Sequence, residues 1–263
     1  MTTPETVRSA DGTPIAFERR GEGAPVILIG GAFNDRTTVA GLAGVLADTH
    51  TAITYDRRGR GDSGDTPPYE VEREVEDVAA LIDRFGGRAS LFGHSSGAVL
   101  ALEVAASGHA LDKLVAYEPP FVVEGRARPG EDLVDRVRAR IEAGDRDEAV
   151  RLFLVEGTGT PAEVVDGMAT GPAWPWLTGL AHTLPYDLTI CGQGNGLPDG
   201  MLAKIAVPTL VIGGGTSPEW MPASARAVAE AVPGARYETL EGQDHGVLQH
   251  PESLRSLLTE FLG

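Results

Sequence analysis

An α/β fold, with a mostly parallel sheet and helices on both faces, is the architecture that this 263-residue chain predicts. Three observations predict it. Short apolar runs alternate with amphipathic helical stripes over most of the chain, which is the rhythm of parallel β-α-β units. The run PVILIG is apolar at every position, as a strand buried on both faces must be. The 34 glycines follow no collagen-like period and gather at the ends of apolar runs, where they mark tight turns.

The elements follow in order. VRSADG, TPIAFERRGEG, APVILIGG and TAITYDRRGRGDSG each close an apolar run with turn residues and read as four strands. IAFER alternates apolar and polar residues, which suits an edge hairpin and predicts an antiparallel edge on the sheet. Val75, Val78, Ala79 and Ile82 then fall on one stripe of a helix. ASLFG is a strand, Ala98, Ala101, Leu102 and Ala105 repeat the helical spacing, and LVAYEPP is a strand closed by two prolines. Near the C-terminus PTLVIGG and ARYETLE are strands. Ala225, Val228, Ala229 and Val232 form the helix between them, and Leu254, Leu257, Leu258 and Phe261 form the last helix.

Residues 121–204 break the rhythm with helical stretches (DLVDRVRARIEAG, DEAVRLFLVEG) and a Pro, Gly and Trp-rich piece, GPAWPWLTGL. They are expected to form a helical insertion on a core of residues 1–120 and 205–263. The insertion leaves and re-enters the pattern where strands end, so it should lie over the C-terminal edge of the sheet, where such folds bind ligands.

Charge narrows the choice of partner. Acids outnumber bases 38 to 22, a formal net charge of −16, and that field repels phosphate backbones and anionic headgroups. A small-molecule substrate is expected rather than nucleic acid or membrane, with the oligomeric state open between monomer and dimer. The single cysteine, Cys191, has no internal disulfide partner, and MTTPETVRSADG lacks the basic-then-apolar order of a signal peptide, so a cytoplasmic protein is expected. No P-loop, dinucleotide fingerprint, HExxH or cysteine cluster occurs, and no cofactor or metal is expected.

The sharpest chemical signal is Gly93-His94-Ser95-Ser96-Gly97, a G-x-S-x-G between a strand and a helix. So tight a strand-to-helix turn strains the serine backbone, needs glycines on either side and pushes Ser95 into the open. The helix that follows aims its N-terminal N–H groups at the same spot, which favours a developing oxyanion. Such a hydroxyl needs a base, and six histidines are available: His50, His94, His109, His182, His245 and His250. His245, in EGQDHG after the last strand, has the address that a doubly wound sheet brings beside Ser95. His94 lies inside the elbow and is expected to pack there.

GHSSG, the DRRGRGDSG run after the fourth strand, the GGAF loop after the third and GQDHG before the last helix together resemble the α/β-hydrolase fold superfamily, and within it small bacterial esterase-like hydrolases. The resemblance implies an eight-stranded sheet, a cap after the sixth strand, a Ser95 nucleophile and a His245 base. It also implies an oxyanion hole from the backbone N–H of Ser96 and of a GGAF residue, Ala32 with Phe33 next. One departure stands out: PTLVIGGGTSPEW places Ser217 where the family usually has the triad aspartate. Three carboxylates are candidates to replace it, with Glu118 ranked first and expected within hydrogen-bond reach of His245 Nδ1, and Glu219 second. Glu118 closes the sixth strand on the catalytic side and is directed by Pro119 and Pro120, Glu219 lies two residues past Ser217, and Asp244 adjoins His245. Asp56, Arg57, Arg58, Arg60 and Asp62 are expected to form an ion-pair and turn network beside the elbow. Phe33, Trp174, Trp176, Leu180, Leu184 and Tyr186 are candidates to line an apolar pocket, with a cap core as the alternative for them.

The expected activity is that of a cofactor-independent serine hydrolase acting on an ester, thioester or lactone of a small to medium apolar molecule through an acyl-enzyme. Two alternatives stay open, the first of them motivated by the missing aspartate. One is a non-hydrolytic cyclase or lyase that uses His245 as a base, and the other a small-molecule binding protein that keeps the triad as scaffold. Epoxide hydrolases and haloalkane dehalogenases of this fold need a carboxylate nucleophile, and Ser95 argues against both.

Overall fold

Because strand side chains point alternately to opposite faces, each apolar run feeds two helix layers at once. The computed structural model, which describes residues 4–124, 127–198 and 200–263, shows this directly. Ile27, Ile29, Ile53, Leu91, Leu114, Ala116 and Val211 face one layer, and their neighbours Val26, Leu28, Ala52, Phe92, Val115, Leu210 and Ile212 face the other.

The strands are β1 (Glu5–Arg8), β2 (Pro14–Arg20), β3 (Ala24–Ile29), β4 (His50–Tyr55), β5 (Ala89–His94), β6 (Leu111–Tyr117), β7 (Thr209–Gly214) and β8 (Arg236–Leu240). They form one eight-stranded sheet in the order β1-β2-β4-β3-β5-β6-β7-β8. The β1–β2 and β2–β4 pairs are antiparallel and all the others are parallel. This is the expected architecture, antiparallel edge included. IAFER belongs to β2, which forms the expected edge hairpin with β1 and pairs with β4 on its inner side. Ile15, Ala16 and Phe17 are all fully buried. The turn after β4 continues the pairing beside β2, with Ser63 Oγ accepting from the Ala16 N–H at 2.9 Å. The outermost strand is the short, exposed β1.

Helices α1 (Ala40–Leu46), α2 (Val71–Arg84) and α3 (Ser96–Ala106) follow β3, β4 and β5. Between β6 and β7 stand α4 (Leu133–Glu142), α5 (Arg146–Leu152), α6 (Ala162–Ala169), α7 (Trp174–Gly179) and α8 (Leu184–Ile190). Helices α9 (Trp220–Ala231) and α10 (Arg255–Leu262) complete the chain. Residues of α2, α3 and α9 pack on one face of the sheet, and those of α1 and α10 on the other. The α4–α8 segment has a hydrophobic cluster of its own, built on Leu133, Val137, Val150, Trp174 and Leu184, and Ala32 and Phe33 of the core pack against it. Among the described residues no helix is long and apolar enough to cross a membrane.

Candidate active site

Strand ends deliver the chemistry. β5 and β6 pair in parallel with His94 opposite Tyr117, so the next residues, Ser95 and Glu118, leave adjacent strands at the same edge. The ladder continues one step further: the Ser95 N–H donates to the Tyr117 carbonyl at 2.9 Å, and the Glu118 N–H to the Ile212 carbonyl at 2.9 Å.

Ser95 sits at φ 58°, ψ −126°, a backbone state that side chains rarely adopt. Packing enforces it. A Cβ at Gly93 would collide with the Gly97 carbonyl and the Ala98 backbone, and a Cβ at Gly97 with the carbonyls of Ile29 and Gly30. The four described non-glycine residues with positive φ are Phe33, Ser95, Glu118 and Asn195. Three of them line one cavity and the fourth stands behind it, so backbone strain concentrates at this site.

The cavity measures about 810 Å³ and has Ser95, His94, Ser96 and His245 in its wall. His245 Nδ1 donates to Glu118 Oε2 at 2.7 Å, which leaves Nε2 as the proton-accepting nitrogen. Glu118 is 1 % exposed, and its second oxygen accepts from the Gly214 N–H at 2.8 Å. Two strand-end side chains hold the backbone of the histidine loop. Tyr117 Oη donates to the Asp244 carbonyl at 2.7 Å, and His94 Nε2 donates to the His245 carbonyl at 2.8 Å. Burial, reinforced by the adjacent His245, pushes the His94 imidazole down to about 3, so it stays neutral and keeps this bond.

The other two carboxylates do not reach the imidazole. Asp244 turns back to accept from the Gly246 N–H at 2.8 Å, and Glu219 is exposed just before α9. Ser217 Oγ is buried without a hydrogen-bond partner among the described residues.

The sequence run after β4 forms the network expected of it. Arg57 pairs with Glu74 (2.6 Å) and Asp187 (2.8 Å), Arg58 with Asp77 (2.7 Å), and Arg60 with Asp187 (2.7 Å). Asp56 and Asp62 both bind Arg36, a residue that no sequence pattern singled out. Asp187 lies on α8 and is 1 % exposed. Burial alone would push its carboxyl up, but the Arg60 and Arg57 charges, with the Ser96 hydroxyl, outweigh that and hold it below the usual range.

Of the six side chains expected to line an apolar pocket, Phe33 does so and five do not. Trp174 and Leu184 belong to the hydrophobic cluster of the helical segment, where Trp174 Nε1 donates to Asp147 at 2.6 Å. Leu180 is buried away from the cavity. Trp176 is half exposed and donates to the Phe33 carbonyl at 2.9 Å. Tyr186 stacks on Tyr69 at 4.0 Å and donates to Asp65 at 2.7 Å. Trp174 and Leu184 thus help to hold the segment together and Tyr186 docks it on the turn after β4. The apolar wall is made instead by Phe153, Leu154, Leu188, Trp220, Met221 and Leu248. Phe153 and Leu154 begin a π-helical turn, Phe153–Gly157, that continues α5. Its wider winding removes the helical period that would have marked the lining face in the sequence.

Comparisons with known proteins agree with this fold. The pattern of the alpha/beta hydrolase family matches residues 26–256. The crystal structure of an alpha/beta hydrolase from Sphaerobacter thermophilus DSM 20745 has a TM-score of 0.91 and 49% identity, over 98% of this chain and 100% of that one. The non-heme chloroperoxidase CPO-A1 of Kitasatospora aureofaciens is 27% identical over 276 residues, covering 96% of this chain and 97% of its own. The enol-lactonase from Burkholderia xenovorans LB400 shares the fold, with a TM-score of 0.75 at 19% identity over 98% of this chain and 99% of that one.

Proposed function

The chain belongs to the alpha/beta hydrolase family and is a hydrolase, and from its site we propose that it cleaves an ester, thioester or lactone of a small to medium apolar molecule through an acyl-enzyme. The observation that carries the reading is the 2.7 Å bond that His245 Nδ1 donates to Glu118, with His245 and the strained Ser95 both in the cavity wall. A carboxylate at that nitrogen holds the imidazole in the tautomer that accepts a proton at Nε2 and stabilises the imidazolium once it forms.

The course is as follows. Ser95 Oγ attacks the substrate carbonyl while His245 Nε2 takes its proton. The tetrahedral oxyanion is held by the N–H groups of Ser96, at the start of α3, and of Ala32. Collapse expels the alcohol, thiol or ring oxygen, which receives the proton from His245. Water deprotonated by His245 then releases the acid. The α4–α8 segment acts as a cap over the cavity, and Phe33, Phe153, Leu154 and Leu188 take the apolar part of the substrate. The cyclase or lyase alternative drew its motive from the serine at position 217, and the Glu118 carboxylate beside His245 supports the hydrolytic reading over it.

The test combines a fluorophosphonate probe with p-nitrophenyl esters of increasing acyl length. Covalent labelling confined to Ser95, with turnover that its removal abolishes, is the expected result. Labelling without turnover of any ester or lactone in a broad panel would favour the non-hydrolytic alternatives, and the absence of labelling a binding protein.

A further inference from the structure

From the way a buried arginine grips the loop after β3, we propose that Arg60, seated by Asp187 of the cap, is a positioning residue that orients and polarises the Ala32 N–H as an oxyanion donor. The inference rests on the hydrolase reading above and goes beyond it. Arg60 Nη1 donates to the Gly31 carbonyl at 2.6 Å and to the Asn34 carbonyl at 3.1 Å. The Gly31 carbonyl and the Ala32 N–H are the two ends of one peptide unit. A charge-assisted hydrogen bond at the oxygen fixes the plane of that peptide and draws electron density from the nitrogen, which makes its N–H the stronger donor. The rest of the loop is held as well. Asn34 Oδ1 accepts from the Gly31 N–H at 3.0 Å, and Trp176 donates to the Phe33 carbonyl.

The carboxylate that seats Arg60 comes from the cap. Asp187 Oδ2 accepts from Arg60 at 2.7 Å, while Oδ1 accepts from Arg57 at 2.8 Å and from Ser96 Oγ at 2.7 Å. Arg57 has a second carboxylate in Glu74, whereas among the described residues Asp187 is the carboxylate that pairs with Arg60. Arg60 is 1 % exposed, and a cation so deeply buried stays in place only if it is compensated. One cap side chain therefore bears on both proposed donors, Ala32 through Arg60 and Ser96 through its hydroxyl. An anchor for the cap would need the Arg60–Asp187 pair alone. The bond to the Gly31 carbonyl is what connects that pair to the chemistry.

The test uses the full chain with p-nitrophenyl butyrate as substrate, fluorophosphonate to titrate active sites and phenylboronic acid as a tetrahedral mimic. Wild-type labelling and turnover decide the hydrolase reading on their own; given both, the variants decide this inference. In Arg60→Gln, kcat per titrated site should fall about tenfold to a hundredfold with KM within about twofold, since the lost contact acts only on developing charge. Phenylboronic acid should weaken by the same factor, and Arg60→Lys should recover part of both. Asp187→Asn should move kcat and boronate affinity in the same sense, and it carries the reading alone if Arg60→Gln does not fold. Unchanged kcat per titrated site and unchanged boronate affinity, or a loss confined to the fraction of titratable enzyme, would overturn the proposal and leave the network a cap anchor.

Discussion

Glu118 Oε2 lies 2.7 Å from His245 Nδ1, although 127 residues separate the two in the chain. Glu118 is fully sheltered and also bonded to the Gly214 N–H, whereas the imidazole is one-third exposed towards the cavity. The carboxylate therefore has one fixed orientation, and the ring it holds can meet a substrate.

On the proposed mechanism, Glu118→Gln keeps the shape but removes the charge that would stabilise imidazolium, so kcat should drop by roughly a thousandfold or more. Glu219→Gln and Asp244→Asn should stay within about threefold of wild type, because neither side chain touches the ring. Steady-state kinetics on one p-nitrophenyl ester settles it, and a Glu219 variant as damaged as Glu118→Gln would return the acid to the loop after β7.

Ser95→Ala should abolish fluorophosphonate labelling and cut turnover by at least about a thousandfold with the fold intact. Ser95→Gly should be equally inactive yet more stable than Ser95→Ala by about 1 kcal/mol, since glycine adopts φ 58°, ψ −126° without Cβ strain. Urea unfolding compares the two variants, and equal midpoints would mean that the elbow stores no backbone strain.

His94 gives the fold a predictable acid sensitivity. Its imidazole is held down at about 3 by burial and by His245, against 6.5 when unperturbed. Between those values the unfolded chain binds the proton and the folded one does not. The stabilising contribution is thus complete above pH 6.5 and is lost as pH falls towards 3, by about 1.4 kcal/mol per pH unit. Between pH 7.5 and 5.0 wild type should lose about 2 kcal/mol more than His94→Gln in urea titrations. Parallel losses in the two proteins would show that His94 does not titrate between its states.

Phe153 belongs both to the cavity wall and to the helical-segment cluster, whereas Trp174 belongs to the cluster and not to the wall, so the two should differ in their effect on specificity. Phe153→Ala enlarges the cavity wall and should shift the preferred p-nitrophenyl ester to a longer acyl chain. Trp174→Ala should leave that preference unchanged and lower stability by about 3 kcal/mol, because it empties the cluster around Leu133 and Val150. A Trp174 variant with altered chain-length preference and wild-type stability would put that side chain back in the pocket.

Hydrophobic period and turn chemistry are local properties, so the sequence by itself determined the alternation of strands and helices, the Ser95 elbow and the address of His245 at the end of β8. The same local rules put IAFER in the antiparallel edge hairpin that β1 and β2 form, but only the tertiary structure buries Ile15, Ala16 and Phe17 alike and brings Ser63 of the turn after β4 to the Ala16 N–H. For the carboxylate behind His245 the sequence favours Glu118 among three residues, because the sixth strand ends on the catalytic side. The choice among them depends on the pairing of β6 with β5 and β7, which aims Glu118 at the histidine loop, and on the turn that points Asp244 back at Gly246. The lining of the cavity was the least legible part. Large apolar side chains in a helical segment read alike whether they fill its own core or face a ligand, and the difference is set by how the segment docks, through Asp187 on Arg57 and Arg60 and through Tyr186 on Tyr69. Contacts between residues more than a hundred positions apart have no period, which is why the docked tertiary structure alone decided which residues Ser95 faces.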